Sequence, residues 1–237
     1  MQRYFSSKNN NNYLYLTDND LYHIKTVMRM KNGDCVEIVY NNELFIATIE
    51  NIENNPQFKI VEQKNVEINN IPYVSLIIPY LQESKIDLIL QKGTEMGVNE
   101  FIFCPMARCV VKMDEKKLSN KISRWMKICK EASEQSKRID IPKISTVNKI
   151  NDLQSLPGLC LTCSTHEKDN YIKKVLKSAK KYDRINLVIG PEGGLSEAEE
   201  QELEKIGYKN ISLGNLIMRV ESVPLFLISV INYEYME

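Results

Sequence analysis

The chain has 237 residues, 43% hydrophobic and 26% charged, a globular composition that excludes disordered and fibrous classes. Its 31 basic and 31 acidic residues cancel to a formal net charge of zero, which at face value argues against a dedicated nucleic-acid binder. Six cysteines in this length are too sparse for a disulfide scaffold.

The chain opens Met1-Gln2-Arg3-Tyr4-Phe5, with no apolar stretch of the kind that directs secretion, so a cytoplasmic protein with reduced thiols is expected. The first seventy residues read as short strands. Residues 34–40 and 43–49 alternate about Asn41-Asn42 as a β-hairpin, and 58–62 add another strand. One helix is expected over 18–28, capped by Thr17. These elements predict a small β-barrel over residues 1–70, with 66–72 as the linker.

Beyond the linker the pattern changes. Residues 74–78 read as a buried parallel strand, 85–96 as an amphipathic helix ended by Gly97, and 101–104 as another strand. A longer helix is expected over 117–136. Strands at 159–163, 186–190 and 210–214 follow, with helices at 169–181, 196–206 and 220–233. This alternation predicts an α/β domain over 71–237 around a mostly parallel sheet. The apolar run 223–231 is about half the length a membrane-spanning helix needs, so no membrane association is expected.

Three features invite chemistry. The first is Gly190-Pro191-Glu192-Gly193-Gly194-Leu195-Ser196, between a strand and a helix, with Ser196 and Glu199 forming a capping box. Its glycines permit close backbone approach to a ligand. It lacks the lysine of a phosphate-binding loop and the spacing of a dinucleotide-binding turn, and Glu192 would repel a polyphosphate. A cationic or neutral ligand fits better, a sulfonium cofactor being one candidate.

The second feature is Leu213-Gly214-Asn215-Leu216-Ile217-Met218-Arg219-Val220-Glu221-Ser222. Another strand ends in glycine, and Arg219 precedes a helix against the macrodipole's preference; pairing with Glu221 or Glu192 would account for it. The third is a basic stretch in which Arg108, Lys112, Lys121, Arg124, Lys127 and their neighbours outnumber five acids between Cys104 and Ile150. It reads either as a phosphate-backbone contact surface or as a solvated helix face. Cys160 and Cys163, three apart on a strand, point to opposite faces and are poor joint ligands, so no metal is expected. No Ser-His-Asp arrangement is visible.

Together these segments resemble the bacterial 16S ribosomal RNA uridine-N3 methyltransferases of the knotted SPOUT superfamily. The similarity runs through Arg3-Tyr4-Phe5, 23–34, 91–98, Arg124-Trp125, 131–138, 189–195 and 213–222, in the family's order. It departs at Met106-Ala107, where the family usually has Thr-Glu, and at Val220, Ser222 and Val223.

The resemblance implies a PUA-like RNA-binding β-barrel before a SPOUT α/β methyltransferase domain with a C-terminal trefoil knot. It implies S-adenosyl-L-methionine as cofactor, 16S rRNA of the small ribosomal subunit as substrate, and a homodimer. The implied cofactor residues are Leu161, Thr162, Gly190, Pro191, Glu192, Gly193, Gly194, Leu195, Leu213, Gly214, Leu216, Ile217 and Met218. Because N3–H is a weak acid, a nearby cation would stabilise the attacking anion, and Arg219 is the expected electrostatic catalyst with Glu221 its orienting partner. Arg3, Arg29, Arg108, Lys112, Arg124 and Arg138 are the implied RNA contacts. The alternatives are a related SPOUT enzyme, such as a ribose 2′-O-methyltransferase, and a non-catalytic RNA-binding assembly protein. Charge distribution then removes the opening objection: residues 71–150 hold 14 bases and 9 acids, net +5, between flanks of −2 and −3.

Overall fold

The computed structural model describes residues 1–66, 71–111, 115–177 and 182–236, without the side chains of 115–117 and 155. The chain divides into two compact units. One comprises Met1–Ile68 with Lys130–Ile141, the other Asn69–Cys129 with Pro142–Glu237.

The first unit is built on strands β1 (Arg3–Phe5), β2 (Lys8–Asn10), β3 (Tyr13–Tyr15), β4 (Cys35–Tyr40), β5 (Glu43–Glu50) and β6 (Gln57–Lys64). They form one sheet in the order β1-β4-β5-β6-β3-β2. A flat six-stranded sheet would separate its edges by about 24 Å. Yet Phe5 at the end of β1 and Lys8 at the start of β2 are joined by Ser6 and Ser7 alone, a span of at most roughly 11 Å. The sheet must therefore curl until its edges approach. Ser6 completes the turn, its hydroxyl donating to Tyr15 O at 2.7 Å and accepting from Lys8 N at 3.2 Å.

The expected hairpin forms with β4 and β5 in antiparallel register. Asn41 and Asn42 take φ of 50° and 62°, the left-handed pair a tight two-residue turn demands. Period-two alternation directs Val36 and Ile38 inward beside Ala47, Ile49 and Phe58. The expected helix over 18–28 divides. Thr17 caps α1 (Asp18–Tyr22), with Asp20 completing the capping box. The chain then widens into a π-helical turn, His23–Val27, closed by Met28 N donating to His23 O.

The second unit holds β7 (Tyr73–Ile78), β8 (Glu100–Phe103), β9 (Lys143–Thr146), β10 (Leu159–Cys163), β11 (Arg184–Val188) and β12 (Lys209–Ile211). All neighbours pair parallel, in the order β12-β10-β11-β7-β8-β9. Val74 to Ile78 are buried without alternation, as a parallel strand covered on both faces requires. Helices α2 (Glu83–Glu95), α3 (Glu115–Gln135), α4 (Ile172–Leu176), α5 (Glu197–Lys205) and α6 (Ser222–Tyr235), with a 3-10 helix at Ile150–Ser155, complete the described elements, α3 from Lys130 onward belonging to the first unit. Gly97, at φ 105°, ends α2 in a Schellman turn: its N–H donates to Thr94 O, and Val98 N–H to Gly93 O. Trp125 on α3 stacks on Phe103 at 3.9 Å between centroids, so it is core.

Two expected elements shorten. The strand at 210–214 ends at Ile211, and Ser212 makes only an isolated bridge to Tyr171. The helix at 169–181 is helical over Ile172–Leu176, and 178–181 lie outside the described residues. So do 67–70 of the expected linker.

Candidate active site

Strand β10 lies between β11 and β12, so the loops leaving their carboxyl ends are neighbours, the usual ligand position of an α/β sheet. They enclose a cavity of ≈ 440 Å³, within the range of small-molecule sites. Gly190, Pro191, Glu192, Gly194 and Leu195 form one wall, and Leu213, Gly214, Leu216, Ile217 and Met218 another. Arg219, Glu221 and Lys85 complete its polar side.

The Gly-rich wall is tightly tied. Ser196 caps α5, accepting from Glu199 N, while Glu199 Oε2 accepts from Ser196 N and Oγ, both at 2.8 Å. This capping box fixes where the loop ends. Gly194, at φ 71°, closes a turn by donating its N–H to Pro191 O at 2.8 Å. A Cβ on Gly190 would stand 2.9 Å from Leu195 N, so no larger residue fits that backbone. Arg108 Nη1 donates to Gly193 O at 2.7 Å and to Leu195 O at 3.2 Å.

Lys85, on the first turn of α2, was not singled out by the sequence. Its Nζ meets Glu192 Oε1 at 2.6 Å and stands 3.9 Å from Glu221 Oε2. The hydrogen bond from Lys85, opposed by weaker desolvation, holds the Glu192 carboxyl below its ordinary range. Glu221 thus faces Lys85 rather than Arg219. Its Oε2 is buried with no hydrogen-bond partner among the described residues. Arg219 is exposed and has no ion-pair partner among the described residues. Its carbonyl accepts from Ser222 N at 2.9 Å, at the start of α6.

Three implied cofactor residues lie outside the cavity lining. Leu161 and Thr162 are fully buried within β10, and Cys163, Ser164 and Thr165 line the cavity instead. Gly193 turns its carbonyl to Arg108. Strand β10 runs to Cys163, so the loop begins at Ser164, three residues beyond Leu161. Desolvation pushes the Cys163 thiol up to about 12, a poor prospect for a thiolate ligand. Among the described residues no group of three His, Cys, Asp or Glu could hold a metal. No described helix is long and apolar enough to cross a membrane.

The implied RNA contacts are largely engaged within the fold. Arg3 is only 7% exposed: Nε donates to Glu37 Oε2 at 2.9 Å, and Nη1 reaches the carbonyls of Lys137 and Arg138. Arg138 grips Asp140 with two amines, at 3.0 and 2.9 Å. Arg124 pairs with Asp87, and Lys121 with Glu83 at 2.6 Å, so acids of α2 meet bases of α3. Arg29 is exposed at φ 52°, and Lys112 lies outside the described residues.

Comparison with known proteins matches both parts of the chain. Residues 69–232 match the family described as RNA methyltransferase domain, and 16–63 the family described as RNA methyltransferase PUA domain. The ribosomal RNA small subunit methyltransferase E of Bacillus subtilis is 33% identical over 231 residues, covering 92% of this chain and 89% of that protein. That of Mesomycoplasma hyopneumoniae is 31% identical, covering 97% and 98%. The crystal structure of the Neisseria gonorrhoeae methyltransferase E bound to S-adenosyl methionine shares the fold, with a TM-score of 0.88 at 23% identity over 99% of this chain and 98% of that one. The chain belongs to the ribosomal RNA small subunit methyltransferase E family of RNA methyltransferases.

Proposed function

We propose that the protein transfers a methyl group from S-adenosylmethionine to N3 of a specific uridine in 16S ribosomal RNA of the small subunit, in the cytoplasm. The observation that carries this reading is that two separate family motifs, 189–195 and 213–222, wall a single cavity. The cavity suits the cofactor's chemistry. Lys85, Lys168 and Arg219 balance Glu167, Glu192 and Glu221 along its lining, which suits a zwitterionic sulfonium better than a polyphosphate. The side-chain-free backbone at Gly190 supports close contact with a nucleoside.

When bound, the cofactor supplies a methyl group already activated by its positive sulfur, so alignment matters more than acid–base help. Backbone groups of residues 190–195 and 213–218 would hold its adenosine. Arg219, a free guanidinium on the cavity wall, would stabilise the N3 anion that attacks once the N3 proton has passed to solvent, the thioether S-adenosylhomocysteine being the leaving group. Glu221 shares Lys85 with Glu192, linking the turn that carries Arg219 to the Gly-rich loop.

Residues 1–70 are assigned to gripping RNA and 71–237 to methyl transfer, supported by family matches at 16–63 and 69–232. Among the implied RNA contacts, Arg29 is exposed and has neither an ion pair nor a side-chain hydrogen bond among the described residues. The C-terminal segment is inferred to thread as a trefoil knot, supported by the family. Association as a homodimer is supported by an apolar groove on α4 and α6 at Tyr171, Phe226, Val230 and Tyr233, the last 83% exposed. Nucleoside mass spectrometry of ribosomal RNA from a deletion strain tests the reaction. Loss of 3-methyluridine, restored by the gene, is expected; an unchanged modification profile would overturn it.

A further inference from the structure

The segment after β8 and the Gly-rich loop hold each other by contacts running in both directions. Cys109 N donates to Met106 O at 3.1 Å, closing a turn that carries Ala107 and Arg108. From α5, Glu199 uses Oε2 for its capping box and Oε1 to accept from Ala107 N at 2.7 Å. In return, a single Arg108 amine reaches two carbonyls of the loop, Gly193 O and Leu195 O. The Arg108 stem lies over Gly193 so closely that a Cβ there would stand 3.4 Å from the arginine Cβ and Cδ.

We infer that Arg108 is a positioning residue for the cofactor loop rather than a phosphate contact. This rests on the reading that the cavity takes S-adenosylmethionine. The physical reason lies in the loop's composition. Gly190, Gly193 and Gly194 supply no side chains to lock their own backbone, and glycine loses the most conformational freedom on ordering. A loop held in shape beforehand spares the ligand that cost. Arg108 supplies the hold, because its charged amine binds carbonyls more strongly than a neutral donor would. A phosphate seeking this amine would have to displace two carbonyls from it. The basic segment is thereby joined mechanically to cofactor affinity.

The test compares wild type, Arg108→Met and Arg108→Lys. Calorimetry measures S-adenosylhomocysteine affinity, and filter binding at fixed salt measures affinity for 16S rRNA. R108M should weaken S-adenosylhomocysteine by about tenfold or more, and R108K by roughly a third of that factor, with RNA affinity within about twofold of wild type. In turnover, KM for S-adenosylmethionine should rise while kcat at saturation holds, a split that general destabilisation would not produce. Unchanged S-adenosylhomocysteine affinity in R108M would overturn the inference. So would lost RNA affinity with cofactor affinity intact, which would make Arg108 a phosphate contact. If R108M fails to fold, R108K carries the same comparison. A wild-type protein that does not bind S-adenosylhomocysteine would instead defeat the cofactor reading itself.

Discussion

The two principal walls of the cavity are built on opposite plans. The wall at 190–195 is tied from several sides: by Arg108, by the Ser196–Glu199 capping box, by its own Pro191–Gly194 turn, and by Lys85 on Glu192. The wall at 213–218 presents Leu216 and Ile217 to solvent, 83% and 78% exposed, and Gly214 N reaches only Ser212 Oγ, at 3.4 Å. A tied wall supplies geometry in advance, whereas an open apolar wall can close over a ligand and gain burial on doing so. The contrast teaches that glycine content alone does not make a loop loose. What decides is how many outside groups hold its carbonyls and side chains.

Arg219→Ala breaks the site where the open wall ends and should have the largest effect. Loss of the cation should lower kcat by about 10²–10³-fold, the range seen for removing one electrostatic stabiliser. Cofactor affinity, followed by calorimetry, should stay nearly unchanged, which separates this role from the walls' role in binding.

Gly190→Ala attacks the tied wall. Its Cβ would meet Leu195 N at 2.9 Å, so backbone must shift, at a cost of about 1–3 kcal/mol readable by urea unfolding. Cofactor affinity should fall with it, by more than about tenfold. Normal affinity in G190A would show that the wall is less rigid than its contacts imply. The double variant L216S/I217S probes the open wall. The free protein should keep its stability to within about 0.5 kcal/mol, since both side chains are exposed. Cofactor affinity should nevertheless weaken by about tenfold, through lost apolar burial in the complex.

The smallest effect is expected from pH. Glu192 has a lowered pKa in the fold, chiefly through its hydrogen bond from Lys85. Its tie therefore contributes fully above the ordinary carboxylate value of 4.5 and is lost as pH falls through the lower, folded value. Because the pair is partly exposed, solvent screening keeps the change to a few-fold in affinity. Calorimetry should show cofactor affinity flat on acidification until below that range. Lys85→Met should abolish this pH dependence and leave the reduced affinity at every pH, since the tie is then absent whatever the charge of the carboxylate.

Where a structural signal lies within a few residues, it was legible. Thr17 and Ser196 cap helices, Gly97 ends α2, and Asn41-Asn42 turn a hairpin, because each bonds or bends chain within about one helical turn of itself. The cavity loops at 190–195 and 213–218 were legible for the same reason, each carrying glycine shortly after a strand, whereas the loop after β10 carries none. Strands β1 to β3 were not separable one from another, since three residues carry too little periodicity. Strand β9, Lys143–Thr146, has no fully buried residue and gave no apolar run. The π-helical turn at His23–Val27 carries no residue that announces it.

Charged residues show the limit most clearly. The surplus of bases over 71–150 is real, yet the fold commits much of it to internal partners. Lys85 and Glu192 are 107 residues apart in sequence, Arg108 and Gly193 85, and Arg3 and Glu37 34. The sequence by itself determined most of the helices and the longer strands, the place of the two glycine-bearing loops and the family. Only the tertiary structure decided that Arg3 and Arg138 are held within the fold, that Glu221 faces Lys85, and that Arg219 stands free among the described residues. The reason is one of range. Caps and turns are settled by neighbours along the chain, whereas an ion pair requires two groups within about 4 Å, a distance that sequence order does not contain.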